Sequence, residues 1–228
     1  GVMLLAALFV GIEIAIEIIV PANPTAHVNI MSDADSDDEE IVDDGKALTD
    51  FDKGQIVKIS SYIASHKDKE LSLATLQVDY LEVNDRVWLE VAKRLRKDKK
   101  LKRALNLLSD LEKKSPQDIN VLFQLARVRS SLNEPEKAIE LYRKILSIQS
   151  SHQLSRMNLG LLLADKQDYN AAAEEFTLAI DITSGRRKAK SLASRGSAYI
   201  ELKRYQEAVL DFQKSIQYRP TDSTVWRK

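Results

Sequence analysis

Residues 119–152, INVLFQLARVRSSLNEPEKAIELYRKILSIQSSH, and residues 153–186, QLSRMNLGLLLADKQDYNAAAEEFTLAIDITSGR, align without a gap. Small residues recur in two registers, Ala126 with Gly160 and Ala138 with Ala172, and an aromatic ring recurs at Tyr142 and Phe176. The apolar residues Leu122, Leu125, Ala126 and Leu159, Gly160, Leu163 keep helical spacing. A fixed period in this range, with small residues held in register, signals an array of stacked helical hairpins.

The period extends outward in both directions. Ala92 and Ala104 precede by 34 residues, with Leu108 at the ring position; Gly196, Ala208 and Phe212 follow by 36. A two-residue insertion near Arg186-Arg187-Lys188 accounts for the longer step. Four units result, 85–118, 119–152, 153–188 and 189–222. Residues 223–228 hold Trp226 where a fifth unit or a capping helix would begin. Asn133-Glu134-Pro135 and Lys166-Gln167-Asp168 are the turns between paired helices. Ser115-Pro116 and Arg219-Pro220 end second helices, because the residue before proline is pushed out of helical geometry.

The pattern resembles the tetratricopeptide repeat family. Counted from Asp85, unit one supplies Trp88, Val91, Ala92, Leu95, Ala104, Leu108, Leu111 and Pro116 at the family's positions. Unit two supplies Leu122, Leu125, Ala126, Ala138, Tyr142 and Ile145; unit three supplies Leu159, Gly160, Leu163, Ala172, Phe176 and Ala179. Unit four supplies Leu192, Gly196, Tyr199, Ala208, Phe212 and Pro220. Ser150 and Ser184 stand where the family has proline. The resemblance implies an all-α, right-handed superhelical solenoid of helix hairpins. Its packing residues would be Trp88, Ala92, Ala104, Ala126, Ala138, Tyr142, Gly160, Ala172, Phe176, Gly196, Ala208 and Phe212. The small residues let the two helices of a hairpin approach to about 8–10 Å. The ring is expected to fill the gap to the next hairpin.

The resemblance also implies that the first, or A, helices line a concave groove that binds a partner protein or peptide. Arg86, Lys93, Arg96 and Lys97 would face it from unit one, with Phe123, Gln124 and Arg127 from unit two. Met157, Asn158 and Leu161 follow from unit three, and Lys190 from unit four. Such a groove begins basic and turns apolar, which suits an acidic peptide with an apolar anchor. One subclass of the family clamps the C-terminal carboxylates of heat-shock chaperones; only Asn158 and Lys190 match its pattern, so here the clamp would be degenerate.

Upstream of the repeats the character changes. Residues 1–52 hold twelve acidic residues and one basic residue, a net of −11, while the rest of the 228-residue chain carries +11. Residues 1–20, GVMLLAALFVGIEIAIEIIV, end at Pro21 and are long enough to span about 30 Å of hydrocarbon as a helix. A single membrane anchor is the reading their length supports, with Glu13 and Glu17 on one face. A cleaved signal peptide is the alternative, with Ala22 and Ala26 near a cleavage site. The acidic flank that follows mildly favours repeats on the non-cytoplasmic side. Residues 21–52 read as a disordered acidic linker. Residues 53–84 read as a helical pair, 53–66 and 70–82, able to cap the first repeat.

Nothing in the sequence assembles a catalytic site. There is no cysteine, and His27, His66 and His152 lie in three separate segments. No glycine-rich phosphate loop, paired-histidine metal motif or serine elbow is present. The expected activity is binding, without enzyme, cofactor, metal or nucleic-acid chemistry. The oligomeric state is not legible. The repeats also fit an accessory domain of a longer enzyme or of a secretion or assembly machine.

Overall fold

The computed structural model describes residues 48–66, 73, 76 and 83–218. The expected anchor at 1–20, most of the linker and the segment with Trp226 lie outside these residues. Among the described residues every regular element is helical, and no helix is long and apolar enough to cross a membrane.

Nine helices follow one another. They are α1 (Asp50–Ser65), α2 (Asp85–Lys97), α3 (Leu101–Lys114), α4 (Ile119–Ser131), α5 (Pro135–Ile148), α6 (Gln153–Asp165), α7 (Tyr169–Asp181), α8 (Gly185–Glu201) and α9 (Tyr205–Tyr218) among the described residues. From α2 onward they pair as hairpins, one per repeat. Each helix packs on its neighbours in sequence, and alternate A helices touch, α2 with α4 and α6 with α8. This is a solenoid: no hairpin buries its own apolar face alone, and the stack is the folding unit.

Local signals set the boundaries. Asn84 caps α2, its side chain accepting from Val87 N at 3.0 Å. Asp118 caps α4, accepting from Asn120 N at 2.8 Å. Pro135 opens α5, where the absent N–H leaves nothing unsatisfied. The turns between A and B helices repeat at one position: Lys99, Asn133, Gln167 and Lys203 have φ of 59°, 60°, 65° and 59°. Each is followed by a backbone N–H reaching five residues back, Lys100 to Leu95 O, Glu134 to Arg129 O, Asp168 to Leu163 O and Arg204 to Tyr199 O. That is the Schellman closure, which normally recruits glycine. Here lysine, asparagine and glutamine accept left-handed geometry, a strain of about 1–2 kcal/mol at each lysine or glutamine.

One expected boundary shifts. The sequence extends the linker through residue 52, yet α1 begins at Asp50. Thr49 and Asp52 form a capping box, Asp52 N donating to Thr49 Oγ1 at 3.1 Å and Thr49 N to Asp52 Oδ2 at 3.0 Å. Two carboxylates assigned to charge repulsion are therefore helix-start residues beside a positive dipole end. Helix α8 begins at Gly185, ahead of the first position of unit four, and runs 17 residues against 13 for α2, α4 and α6. The insertion lengthens the N-terminal end of an A helix instead of looping out.

Upstream of the repeats, Ile59, Ile63, Leu73 and Leu76 are buried in one cluster with Val87, Trp88, Leu108 and Leu111. Arg103 of α3 donates to the carbonyls of Ile63 and His66 at the end of α1, the latter at 2.7 Å. The guanidinium thus satisfies carbonyls that a helix leaves orphaned at its C-terminus. A residue of the basic run at 97–103 is by this contact a fold residue.

The hairpins close by a ring on a small residue. A Cβ added to Gly160 would lie 2.6 Å from Phe176 Cε1; one on Gly196 would lie 3.1 Å from Phe212 Cζ. Both rings belong to the same hairpin as their glycine. Phe176 and Phe212 each lie against helix A of their own unit. Tyr142 does reach onward, its hydroxyl accepting from Asn158 Nδ2 of unit three at 3.2 Å. Arg195 ties α8 to α9 through two bonds to buried Asp211, at 2.7 and 2.8 Å, and to α7 through Thr177 at 2.9 Å.

Gly160→Ala should destabilise the chain by about 1–3 kcal/mol, because the added methyl overlaps a ring fixed in the core. Gly196→Ala should fall within about 1 kcal/mol of the parent, since a milder contact is offset by better helix propensity. Urea titrations of the two variants measure the difference, and equal losses would contradict this account of the interlock.

Candidate functional site

The A helices α2, α4, α6 and α8 carry every residue expected to face the groove. On α2, Arg86 is half-buried, Lys93 pairs with Glu90 one turn back, and Lys97 is exposed at the helix end. Arg96 is buried, 6% exposed, and so is Arg127 on α4 at 8%. The apolar members Phe123, Met157 and Leu161 are buried too. Ser191 Oγ of unit four approaches Met157 Sδ at 3.6 Å, so Met157 takes part in the contact between units three and four. Lys190 and Asn158 are half-buried. Of the two residues that matched the chaperone clamp, Asn158 has its amide engaged with Tyr142.

One cluster gathers at units one and two. The Phe123 ring lies 5.9 Å from the Tyr142 ring and 5.3 Å, edge-on, from His152. The Arg127 guanidinium sits over Phe123 at 5.8 Å from its centroid. Burial pushes the Tyr142 phenol up to about 12, although Arg127, the Asn158 hydrogen bond and Arg96 all act to lower it. The phenol is therefore neutral at physiological pH and acts as a hydrogen-bonding group.

Gln124 lies on the same helix, α4, and the sequence places it on the groove without singling it out. It is 1% exposed, and neither its amide oxygen nor its nitrogen has a hydrogen-bond partner. An unsatisfied buried amide costs about 1–3 kcal/mol. The sequence signal was a polar residue inside the apolar run Val121–Ala126.

His66 and His152 act in the fold. His66 ends α1, its ring against Tyr62 at 4.2 Å between centroids. His152 caps α6: its Nδ1 accepts from Ser155 N at 3.2 Å and lies 2.8 Å from Ser155 Oγ. It sits at the junction of units two and three. The twelve expected packing residues lie in the helical pairs; Trp88, Ala92, Ala104, Ala126, Ala138, Tyr142, Ala172, Phe176 and Ala208 are fully or almost fully buried. Gly160 and Gly196 lie beneath rings, and Phe212 is half-buried over Gly196.

Stacked helical hairpins with A helices on one face make this a protein-interaction solenoid. Residues 123–187 and 189–222 match tetratricopeptide-repeat models, and over these residues the chain is built of tetratricopeptide repeats. Unit one lies outside the matched residues but shares their turn geometry at Lys99. Among solved structures the fold resembles MamA, with 17% identity and a TM-score of 0.58 over 73% of this chain and 88% of that one. MamA from Desulfovibrio magneticus RS-1, residues 41 to its end, gives 16% and 0.59 over 78% and 100%. PilF of Pseudomonas aeruginosa gives 21% and 0.55 over 59% and 60%. No curated protein matches the chain in sequence.

Burial holds the His152 pKa below its ordinary 6.5. A protonated ring cannot accept from Ser155 N, so the unfolded chain takes up the proton first. The stability contributed by neutral His152 is complete above about pH 6.5 and is lost progressively as pH falls below it. His152→Asn keeps an accepting cap and removes the titration. Thermal melts between pH 7.5 and 5 should show a decline in the parent that is smaller in this variant; parallel declines would count against His152 as the cause.

Proposed function

We propose that this chain is an interaction scaffold whose A-helix face binds an extended segment of a partner protein. The supporting observation is the cluster on α2 and α4, where Arg96, Gln124 and Arg127 add buried polar groups to a face that needs only apolar packing. Tetratricopeptide repeats are interaction modules, and the basic excess of this part of the chain suits a partner rich in carboxylates. An acidic segment with an apolar residue to anchor it is the ligand class this surface favours. We further propose that residues 1–20 hold the scaffold at a membrane, their length and apolar content being the support. The acidic flank after them favours repeats on the non-cytoplasmic side.

Affinity capture with the full chain tests the first part. Proteins held by the parent should be lost with Ser130→Trp, which places a bulky ring at a half-buried groove position of α4. An unchanged set of captured proteins would sink the groove reading. For the second part, the full chain should remain with membranes through alkaline carbonate washing; release into the supernatant would rule out a spanning anchor.

A further inference from the structure

The junction of units two and three is the most lightly packed of the three between successive hairpins. Helix α5 meets α6 less extensively than α3 meets α4 or α7 meets α8. The A helices α4 and α6 also make less contact than α2 with α4 or α6 with α8. Side-chain ties cross this junction. Tyr142 accepts from Asn158 Nδ2 at 3.2 Å, Lys166 pairs with Glu136 at the exposed turns, and the His152 ring lies edge-on to Phe123 at 5.3 Å.

His152 holds two elements at once. It caps α6, as Asn84 and Asp118 cap α2 and α4, and its ring reaches back to α4. Asparagine and aspartate stay good caps at neutral and mildly acidic pH; histidine accepts only while neutral. Protonation turns Nδ1 into a donor. Ser155 N then loses its acceptor, and a positive charge stands at the positive end of the α6 dipole.

The groups around the ring leave no free counter-charge. From α4 comes Phe123, with Arg127 over its face; from α5 comes the neutral Tyr142 phenol. From α6 comes Arg156, whose Nε donates to Ser150 O at 2.9 Å and whose Nη1 holds Glu175 of α7 at 3.0 Å. Burial alone lowers the His152 pKa, so no carboxylate among the described residues supports a cation there. A ring released into water therefore takes up the proton more readily than the seated one.

We propose that His152 is a proton-operated pin, whose protonation frees the junction of units two and three to act as a hinge in the solenoid. The imidazolium leaves its seat against Ser155 and Phe123, and units three and four swing relative to units one and two. The pinned form is complete above about pH 6.5, the ordinary histidine value, and is lost as pH falls through the lower value of the seated ring. A loss of stability alone would loosen every junction; the hinge confines the movement to this one. The inference is independent of what the A-helix face binds.

The chain contains no cysteine, so introduced cysteines carry spin labels at chosen sites alone. Glu140→Cys with Glu174→Cys spans the junction of units two and three, and Glu174→Cys with Leu210→Cys spans the next. All three positions are exposed and occupy one repeat position. Distances in the full chain are measured by pulsed electron paramagnetic resonance at pH 7.5 and 5.5, above the ordinary carboxylate range. The first pair should broaden or shift at the lower pH, and the second should stay unchanged. His152→Asn keeps an accepting cap and should hold the first pair unchanged at both values. Hydrogen exchange, corrected for its intrinsic rate, should show the first turn of α6 losing protection by up to about tenfold per pH unit, the limit for one proton.

A first pair that does not change overturns the hinge. So does an equal change in both pairs, which is general loosening, or a change that survives His152→Asn. Exchange that rises in α6 while the first pair stays fixed shows a fraying cap and also overturns it. Should His152→Asn fail to fold, as circular dichroism would show, His152→Asp takes its place, a cap that stays ionised across the window.

Discussion

The close approach of the two helices in each hairpin sets the geometry of everything else. Where Phe176 lies on Gly160, no Cβ has room. The ring fills the space that the missing side chain leaves, and the helices seat at a fixed distance. The seat recurs in unit four, where Phe212 lies over Gly196. The A helices are then carried to one side of the stack, where a binding surface can form. A change at the seat would alter that surface without touching it.

The connections between hairpins are more varied than the seats. Tyr142 reaches unit three through its hydroxyl, and Arg195 reaches unit three through Thr177 while holding Asp211 in its own unit. These polar ties are largely enclosed, so each must be nearly complete to be tolerated. Gln124 departs from that rule, as do Gln55 and Ser60 of α1. His152 works differently at the next junction, where a titratable ring serves as a helix cap.

Much of the architecture was legible from spacing. The period of 34 located the small residues, the rings and the turns, because a stacked array must present the same packing surface at every step. Other features escaped for physical reasons. Lys99, Gln167 and Lys203 adopt left-handed turns that composition assigns to glycine; the surrounding hairpin overrides their local preference. The box of Thr49 and Asp52 was hidden in a dense acidic run, where net charge masked a local hydrogen-bond pattern. Arg103 stands among the charges of residues 97–103, and only its contacts with α1 give it a place in the fold.

The sequence by itself determined that the chain carries helical repeats and which small residues recur in them. Those properties follow from periodicity, which is a one-dimensional quantity. Only the tertiary structure decided which ring serves which glycine, that Met157 packs against unit four, and that Gln124 lies enclosed beside Arg127 with its amide unsatisfied. Burial and hydrogen-bond satisfaction depend on what neighbouring helices bring to a side chain, and no spacing along the chain contains that information.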